Sequence, residues 1–493
     1  MPMDAAQGIG LFCTAGARPP IQAMISFIAT GGLLSVTPLT ARGRGSYSSG
    51  MQRHLHFNLF IQGRGSHEAA WRHPMSATDS LTDVRYYQDL AQRAEAGLFD
   101  SIFFADQLAT NSAQTKSAKA LQVWLEPMTL LSAIAVATDR IGLIATGSST
   151  YTEPFNLARQ FASIDHISNG RAGWNIVTSW MAAAARNFGD TGQLSHAERY
   201  VMAEEHVQIV KGLWDSWADD AIVDDRDNAI YANTDRIRPI DFKGEHFNVA
   251  GPLNLPRGPQ GRPVLVQAGS SEDGRDFAAR HAEAVFTAHI EKATAQAFYA
   301  DMKKRVAAEG RRPDQVLILP GLCPTIASSE AEAKRLLLEF SEYADVDIAV
   351  KYLGTWFGGH DFSHLPLDKT LTPQDFPDLA DVETSKSRTA MVLNLIQRED
   401  ITLRELLARF AHIGGHYLFA GTPEQVADLI EDWFTDGAAD GFNLMPPLLP
   451  AMLDAFVDEV LPILQARGLF RTAYEGTTLR EHYGLDRPAG PFE

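Results

Sequence analysis

Two cysteines, Cys13 and Cys323, are all that the 493 residues contain. So few exclude a disulfide framework and a cysteine zinc site, and they fit a reducing compartment, the cytoplasm. Long apolar runs are also missing. The best stretch, Ile21 to Val36, is broken by Gly31 and Gly32 and falls short of a membrane span. Arg18 alone stands ahead of it, a poor fit to a secretory leader. Positive charge is in deficit: 43 Lys and Arg face 61 Asp and Glu, a formal net charge of −18. That balance argues against a nucleic-acid footprint. The Walker phosphate loop, H-E-x-x-H, G-x-S-x-G and kinase signatures are absent, which sets aside P-loop NTPases, zincins, serine hydrolases and kinases.

What is present is ordinary globular composition, 45% hydrophobic and 21% charged, in a chain long enough for one large barrel with insertions. Residues 1–50 stand apart, rich in Gly, Ser, Pro and Ala. They read as a disordered leader, or as sequence ahead of a true start at Met51, which strand-like HLHFNLFI follows closely. Residues 51–493 then form one domain.

Strand-like runs recur at 54–61, 101–105, 140–146, 172–177, 263–268, 284–288, 316–322 and 441–444. Helical patterns lie between them, including 81–97, 127–138, 154–166, 197–217, 294–309, 330–343, 423–435 and 452–467. Eight strands alternating with helices predict an α/β fold, a (β/α)8 TIM barrel. A doubly wound open sheet is the alternative, but no G-x-G-x-x-G follows the first strand. Two stretches exceed a minimal barrel, 219–263 and 351–421. Insertions usually sit in βα loops, so both are expected at the C-terminal face. Gly354 to Leu379 mixes Gly and Pro with Trp356, Phe357, Phe362 and Phe376, the composition of a lid over the barrel mouth. A static loop packed on the barrel wall fits the same composition.

Candidate site residues cluster at strand ends. In PVLVQAGSSEDGRDFA a short strand runs through Gly269 into Ser270 and Ser271 at a helix start. A helix N-terminus of this kind binds phosphate, and an ordinary capped turn looks the same. Asp106 ends the strand SIFFA; a ligand contact and a helix cap are equal readings. Thr146, Ser148, Ser149 and Thr150 crowd the next strand end with hydroxyls. Asn175 is a polar amide in an apolar strand, and it needs a partner or a ligand. His196 and Tyr200 share a helix face at i, i+4. His67, just past the first strand, faces the end where chemistry happens, either as a catalytic or as a structural histidine. HDFSH at 360–364 resembles metal spacing, but Gly358, Gly359 and Pro366 make it a loop, and no metal site is read.

Taken together and in order, these segments resemble one family. HLHFNLFIQGRGSHEAAWRHP, QRAEAGLFDSIFFADQL, LEPMTLLSAIAVATDRIGLIATGSSTYTEPFNLARQFASIDHISNGRAGWNIVTS, HAERY, VLVQAGSSEDGRDFAARHAEAVF and GTPEQVADLIEDWFTDGAADGFNL are similar to the bacterial-luciferase-like flavin monooxygenases. The branch is that of nitrilotriacetate, dibenzothiophene sulfone and long-chain alkane monooxygenases. The resemblance implies a TIM barrel that uses reduced FMN, supplied by a separate NAD(P)H-dependent flavin reductase, and O2 to oxygenate a small organic molecule. It places FMN contacts on Asp106, Thr146, His196, Tyr200 and Ser271. Asn175 and the Ala268–Gly269–Ser270 backbone match the alkane-oxidising branch. The extra residues at the N-terminus, and Ser148 and Ser149 in the strand-end turn, depart from the family pattern. A deazaflavin-dependent dehydrogenase on the same barrel and a non-catalytic flavin-binding protein are the competing functions. A homo-oligomer without membrane or nucleic-acid partners is expected.

Overall fold

Short runs of β-branched and aromatic residues, buried on both faces, build the centre of the molecule. The computed structural model describes residues 53–110, 123–179, 181–189, 194–378, 386–411 and 415–492. The expectation for residues 1–50 lies outside them. Eight parallel strands close on themselves: β1 (His56–Phe60), β2 (Ser101–Phe104), β3 (Gly142–Ser148), β4 (Ala172–Val177), β5 (Val264–Gln267), β6 (Ala284–Thr287), β7 (Leu317–Ile326) and β8 (Gly441–Leu444). β8 returns to β1 with Phe57 opposite Phe442 and Asn58 opposite Asn443. Because helices cover the outside, these strands show near-continuous burial rather than alternation. The predicted TIM barrel is the observed fold.

The helices start where the local chemistry allows. Glu126 caps Pro127–Ala135 by accepting from Met128 and Thr129 N–H, with Pro127 in the first turn where no N–H is needed. Ser195 and Glu198 form a reciprocal capping box at His196–Trp214. Thr422 and Gln425 do the same at Pro423–Thr435.

The two long insertions lie at opposite ends, which corrects the expectation that both sit at the C-terminal face. Residues 219–263 follow helix His196–Trp214 and lead into β5, so they form an αβ connection. Part of the segment runs along that helix, where the Glu205 carboxylate accepts the backbone N–H groups of Glu245, His246 and Phe247. Its end reaches the N-terminal end of β4, where Gln260 Nε2 donates to the Ala172 carbonyl at 2.7 Å. Two small hairpins, Ile222–Asp225 with Ile230–Ala232 and Phe242–Lys243 with Asn248–Val249, supply its only strands among the described residues.

The second insertion lies where it was expected, between β7 and its helix Pro423–Thr435. β7 runs four residues past its predicted end at Leu322, and its extension pairs in parallel with Tyr417–Gly421. The described part of this segment, Gly354 to Asp378, is no open lid loop. Helix Val346–Trp356 covers its start. Trp356, Phe357, Phe362 and Phe376 are only 0–8% exposed, in a core of their own with Val392, Leu395 and Leu406. Aromatics expected to cover a pocket instead fill this second core.

The C-terminal segment closes the N-terminal end of the barrel. Arg471 pairs with Asp100 just ahead of β2. Arg480 pairs with Glu283 just ahead of β6, at 2.5 Å. Tyr483 is buried and donates to Asn58 Oδ1 at 2.7 Å.

Candidate active site at the C-terminal end of the barrel

Trp174 packs outward against Phe161 and Trp214, so the next residue, Asn175, faces the lumen. Its neighbour across the ladder is Thr146 on β3. The Thr146 hydroxyl donates to the Phe104 carbonyl at 2.9 Å and accepts from Asn175 Nδ2 at 2.8 Å. Both residues are buried. This relay fixes the amide and leaves Asn175 Oδ1 buried with no partner. An orphaned acceptor in a barrel lumen is costly unless a ligand donates to it.

Apolar rings line the lumen near this amide. Phe60, Phe103 and Phe286 pack at 5.2–5.7 Å from one another, Phe103 edge-on to both of the others. His416, brought in by the C-terminal insertion, stacks flat on Phe286 at 4.9 Å. Ala105 and Leu418 border the same cluster. The wall is apolar, and the stacked Phe286–His416 pair gives it one flat face.

A second polar group forms where two helices begin. Ser271 caps Glu272–His281 by accepting from Gly274 N–H. His196 Nε2 lies 3.4 Å from Ser271 Oγ, and its Nδ1 lies 3.0 Å from Asp273 Oδ2. The His196 and Tyr200 rings are 5.0 Å apart. Burial pushes the Tyr200 phenol upward, against a hydrogen bond from the Ser271 side that lowers it. Gly269 serves this cluster differently from the sequence reading. A Cβ there would lie 2.9 Å from Tyr200 Oη and 2.3 Å from Gln267 Nε2, so the glycine makes room for protein side chains. Gln267 Oε1 in turn holds the Gly269 N–H at 2.7 Å. Ser270 lies half-buried between Gly269 and the cap.

Asp106 ends β2 as expected, and its Oδ1 accepts the Gln107 N–H. Burial raises its carboxyl, opposed by that N–H and reinforced by Glu126. His67 lies elsewhere. It is buried, its Nδ1 accepts the Ala69 N–H at 3.1 Å, and its ring lies 5.8 Å from Phe340 of helix Glu330–Tyr343, which follows β7. That environment ties the β1 loop to the helix Glu330–Tyr343. Its neighbour Glu68 was not foreseen. Glu68 Oε1 is buried without a partner, and burial together with Asp345 pushes the carboxyl up to about 7.

Of the sequence candidates, the structure brings together Thr146 with Asn175, and His196 and Tyr200 with Ser271. Gln267, Glu68, Phe286 and His416 were missed. Gln267 carried a signal, a polar residue at the end of a buried strand; the others meet only through tertiary contacts.

The luciferase-like monooxygenase family model matches residues 60–440. N-acetyl-S-(2-succino)cysteine monooxygenase of Bacillus subtilis (strain 168) is 46% identical over 444 residues, covering 90% of this chain and 99% of that protein. Nitrilotriacetate monooxygenase component A of Aminobacter aminovorans is 43% identical over 448 residues, covering 89% and 98%. The structure of EDTA monooxygenase from Chelativorans sp. BNC1 superposes with a TM-score of 0.75 at 35% identity, covering 88% of this chain and 99% of that one. A closed barrel with its polar groups gathered at the C-terminal end, matched along most of its length, belongs to the luciferase-like monooxygenase family.

Proposed function

We propose that the chain is the oxygenating component of a two-component flavin monooxygenase, an oxidoreductase that uses reduced FMN and O2. The observation that carries this reading is the pairing of two sites at one barrel end. Asn175 Oδ1 lacks a donor beside an apolar aromatic wall, and Ser271, His196 and Tyr200 gather at a helix N-terminus. The first suits the polar edge of a flavin ring. The second suits its phosphate. Asp106, Thr146 and Ser270 complete the proposed set of FMN contacts. Bound FMN would supply the oxygen chemistry. The chain's part is to orient the ring, hold the phosphate and keep water out. His67 acts in this reading as a structural histidine that holds the β1 loop to helix Glu330–Tyr343.

The name of the Aminobacter relative, component A, supports a second component, here an NAD(P)H-dependent flavin reductase. The substrate class favoured is a small organic acid, after the nitrilotriacetate and N-acetyl-S-(2-succino)cysteine named for two relatives. Among the described residues no helix is long and apolar enough to cross a membrane. The reading includes a cytoplasmic homo-oligomer.

The test is turnover in a reconstituted assay. The chain with NADH and oxidised FMN alone should be inactive; adding a flavin reductase should give oxygen uptake and product. Catalytic NADH oxidation by the pure chain would contradict the two-component reading. Substrate oxidation without oxygen uptake would favour the deazaflavin-dependent dehydrogenase.

A further inference from the structure

Strand β7 leaves a gap in the lumen wall, and a histidine from far along the chain fills it. Leu319 and Cys323 on β7 belong to the lumen cluster with Phe60, Phe103 and Phe286. Gly321 lies midway between them, so at the strand period of two it faces the lumen without a side chain. A Cβ there would run into His416 Nδ1 and lie 2.7 Å from its Cγ. His416 therefore takes the place that a β7 side chain would hold. Its ring stacks on Phe286, with centroids 4.9 Å apart and planes at 15°. Two residues on, Leu418 packs on the same lumen cluster, while Tyr417 between them packs on Trp433 outside. The alternation along this strand aims His416 inward. The residue is half-buried.

The rest of this wall offers little to an anion. Cys323 is held as a thiol, pushed up to about 12 by burial. Ser66 Oγ, beside it, donates to the Met445 carbonyl at 2.9 Å. Thr146 donates to the Phe104 carbonyl, and Asn175 Nδ2 is spent on Thr146. The Oδ1 that Asn175 leaves over is an acceptor, which repels a carboxylate. An imidazole has two ring nitrogens and donates at both once protonated. A partner within the chain orients such a ring and does not silence it. Gly321 meets the ring at Nδ1, Cγ and Cε1, so the Nε2–Cδ2 edge points away from β7.

We propose that His416 is the substrate contact that selects for acidity, its imidazole holding a carboxylate of a small organic acid in the barrel mouth. This rests on the substrate class proposed above. It also gives the second insertion a part in the site. The residue comes from the segment between β7 and Pro423–Thr435, and the missing side chain of Gly321 admits it.

The experiment titrates the full chain anaerobically with reduced FMN present, so that substrate affinity is read without turnover. His416→Phe keeps a ring against Phe286 and removes both nitrogens. It should bind nitrilotriacetate or N-acetyl-S-(2-succino)cysteine about 10- to 100-fold more weakly, the worth of one hydrogen bond to a charged group. Its affinity for reduced FMN and its thermal midpoint should not change. The neutral triamide of nitrilotriacetate should bind wild type and H416F alike. His416→Gln, with an N–H at similar reach, should recover part of the acid affinity. Gly321→Ala should displace the ring and lose acid affinity with His416 intact, and it carries the test if H416F does not fold. Variants that bind the acids as the wild type does overturn the proposal. So does an equal loss for the triamide or for reduced FMN, which makes His416 a piece of the wall alone. A wild type that binds neither acid removes the substrate class and this proposal with it, while reduced FMN binding and reductase-dependent oxygen uptake judge the flavin reading separately.

Discussion

The two ends of this barrel differ in how far their buried charges are paired within the chain. At the N-terminal end most buried charges are paired within the chain, although Asp165 Oδ2 and Arg480 Nε lack a partner. Asp100 meets Arg471 and His56, Glu283 meets Arg480, Asp215 meets Arg257 and Arg262, and Asp219 meets Arg487. At the C-terminal end Asn175 Oδ1, Glu68 Oε1, Trp124 Nε1 and Arg199 Nε are buried and unanswered. The first pattern fastens the tail across the barrel floor. The second withholds hydrogen-bonding capacity that a ligand can use. One end is therefore expected to answer mutation with stability and the other with binding.

The largest effect should come from the floor. Arg480→Ala leaves Glu283 buried beside β6 without its cation and should cost about 3–5 kcal/mol in urea unfolding. The folded fraction should keep its affinity for reduced FMN. A loss of FMN affinity with unchanged stability would break the comparison.

Glu68 should come next, and its effect depends on pH. Its folded carboxyl titrates at about 7 against 4.5 for an ordinary glutamate. The folded state thus holds the proton more tightly than the unfolded chain. Stability contributed by this residue falls as pH rises from 4.5 to about 7, and is level outside that window. Glu68→Gln removes the dependence. The variant should match the wild type at pH 4 and exceed it at pH 8 by up to about 3 kcal/mol. Parallel stability curves across that range would show that the Glu68 proton is not held by the fold.

The smallest effect sharpens the comparison at one residue. Ser271→Ala removes a helix cap, worth about 1 kcal/mol of stability. Reduced FMN should lose about 1.5–3 kcal/mol of affinity, since a hydrogen bond to a charged group goes too. A stability loss with FMN binding intact would make Ser271 a cap and nothing more.

The sequence was most legible where burial is symmetric. All eight barrel strands could be read, because a parallel strand covered on both faces is a short apolar run between turn residues. The β7 extension was not, since Pro324 interrupts a run that already holds Pro320. The strand Tyr417–Gly421 and the hairpins of 219–263 are half-exposed, so they lack that signature. The site was legible as residue types at strand ends. Asn175 stands out because an amide in an apolar strand demands a partner. Its acceptor became an orphan only when Thr146 claimed the other end of the amide.

The chain by itself determined the barrel, the helix starts at Ser195 and Ser271, and the choice of polar residues along the strand ends. Those follow from local rules, period, capping and turn chemistry, which act over a few residues. Tertiary structure decided the rest. It put one insertion at the floor and the other at the mouth, gave the Gly354 to Leu379 aromatics a core of their own, and set His67 against Phe340. It also set His416 into the gap at Gly321 and left Glu68 with a proton. Charge pairing and burial depend on which residues meet across hundreds of positions, and no local pattern records that.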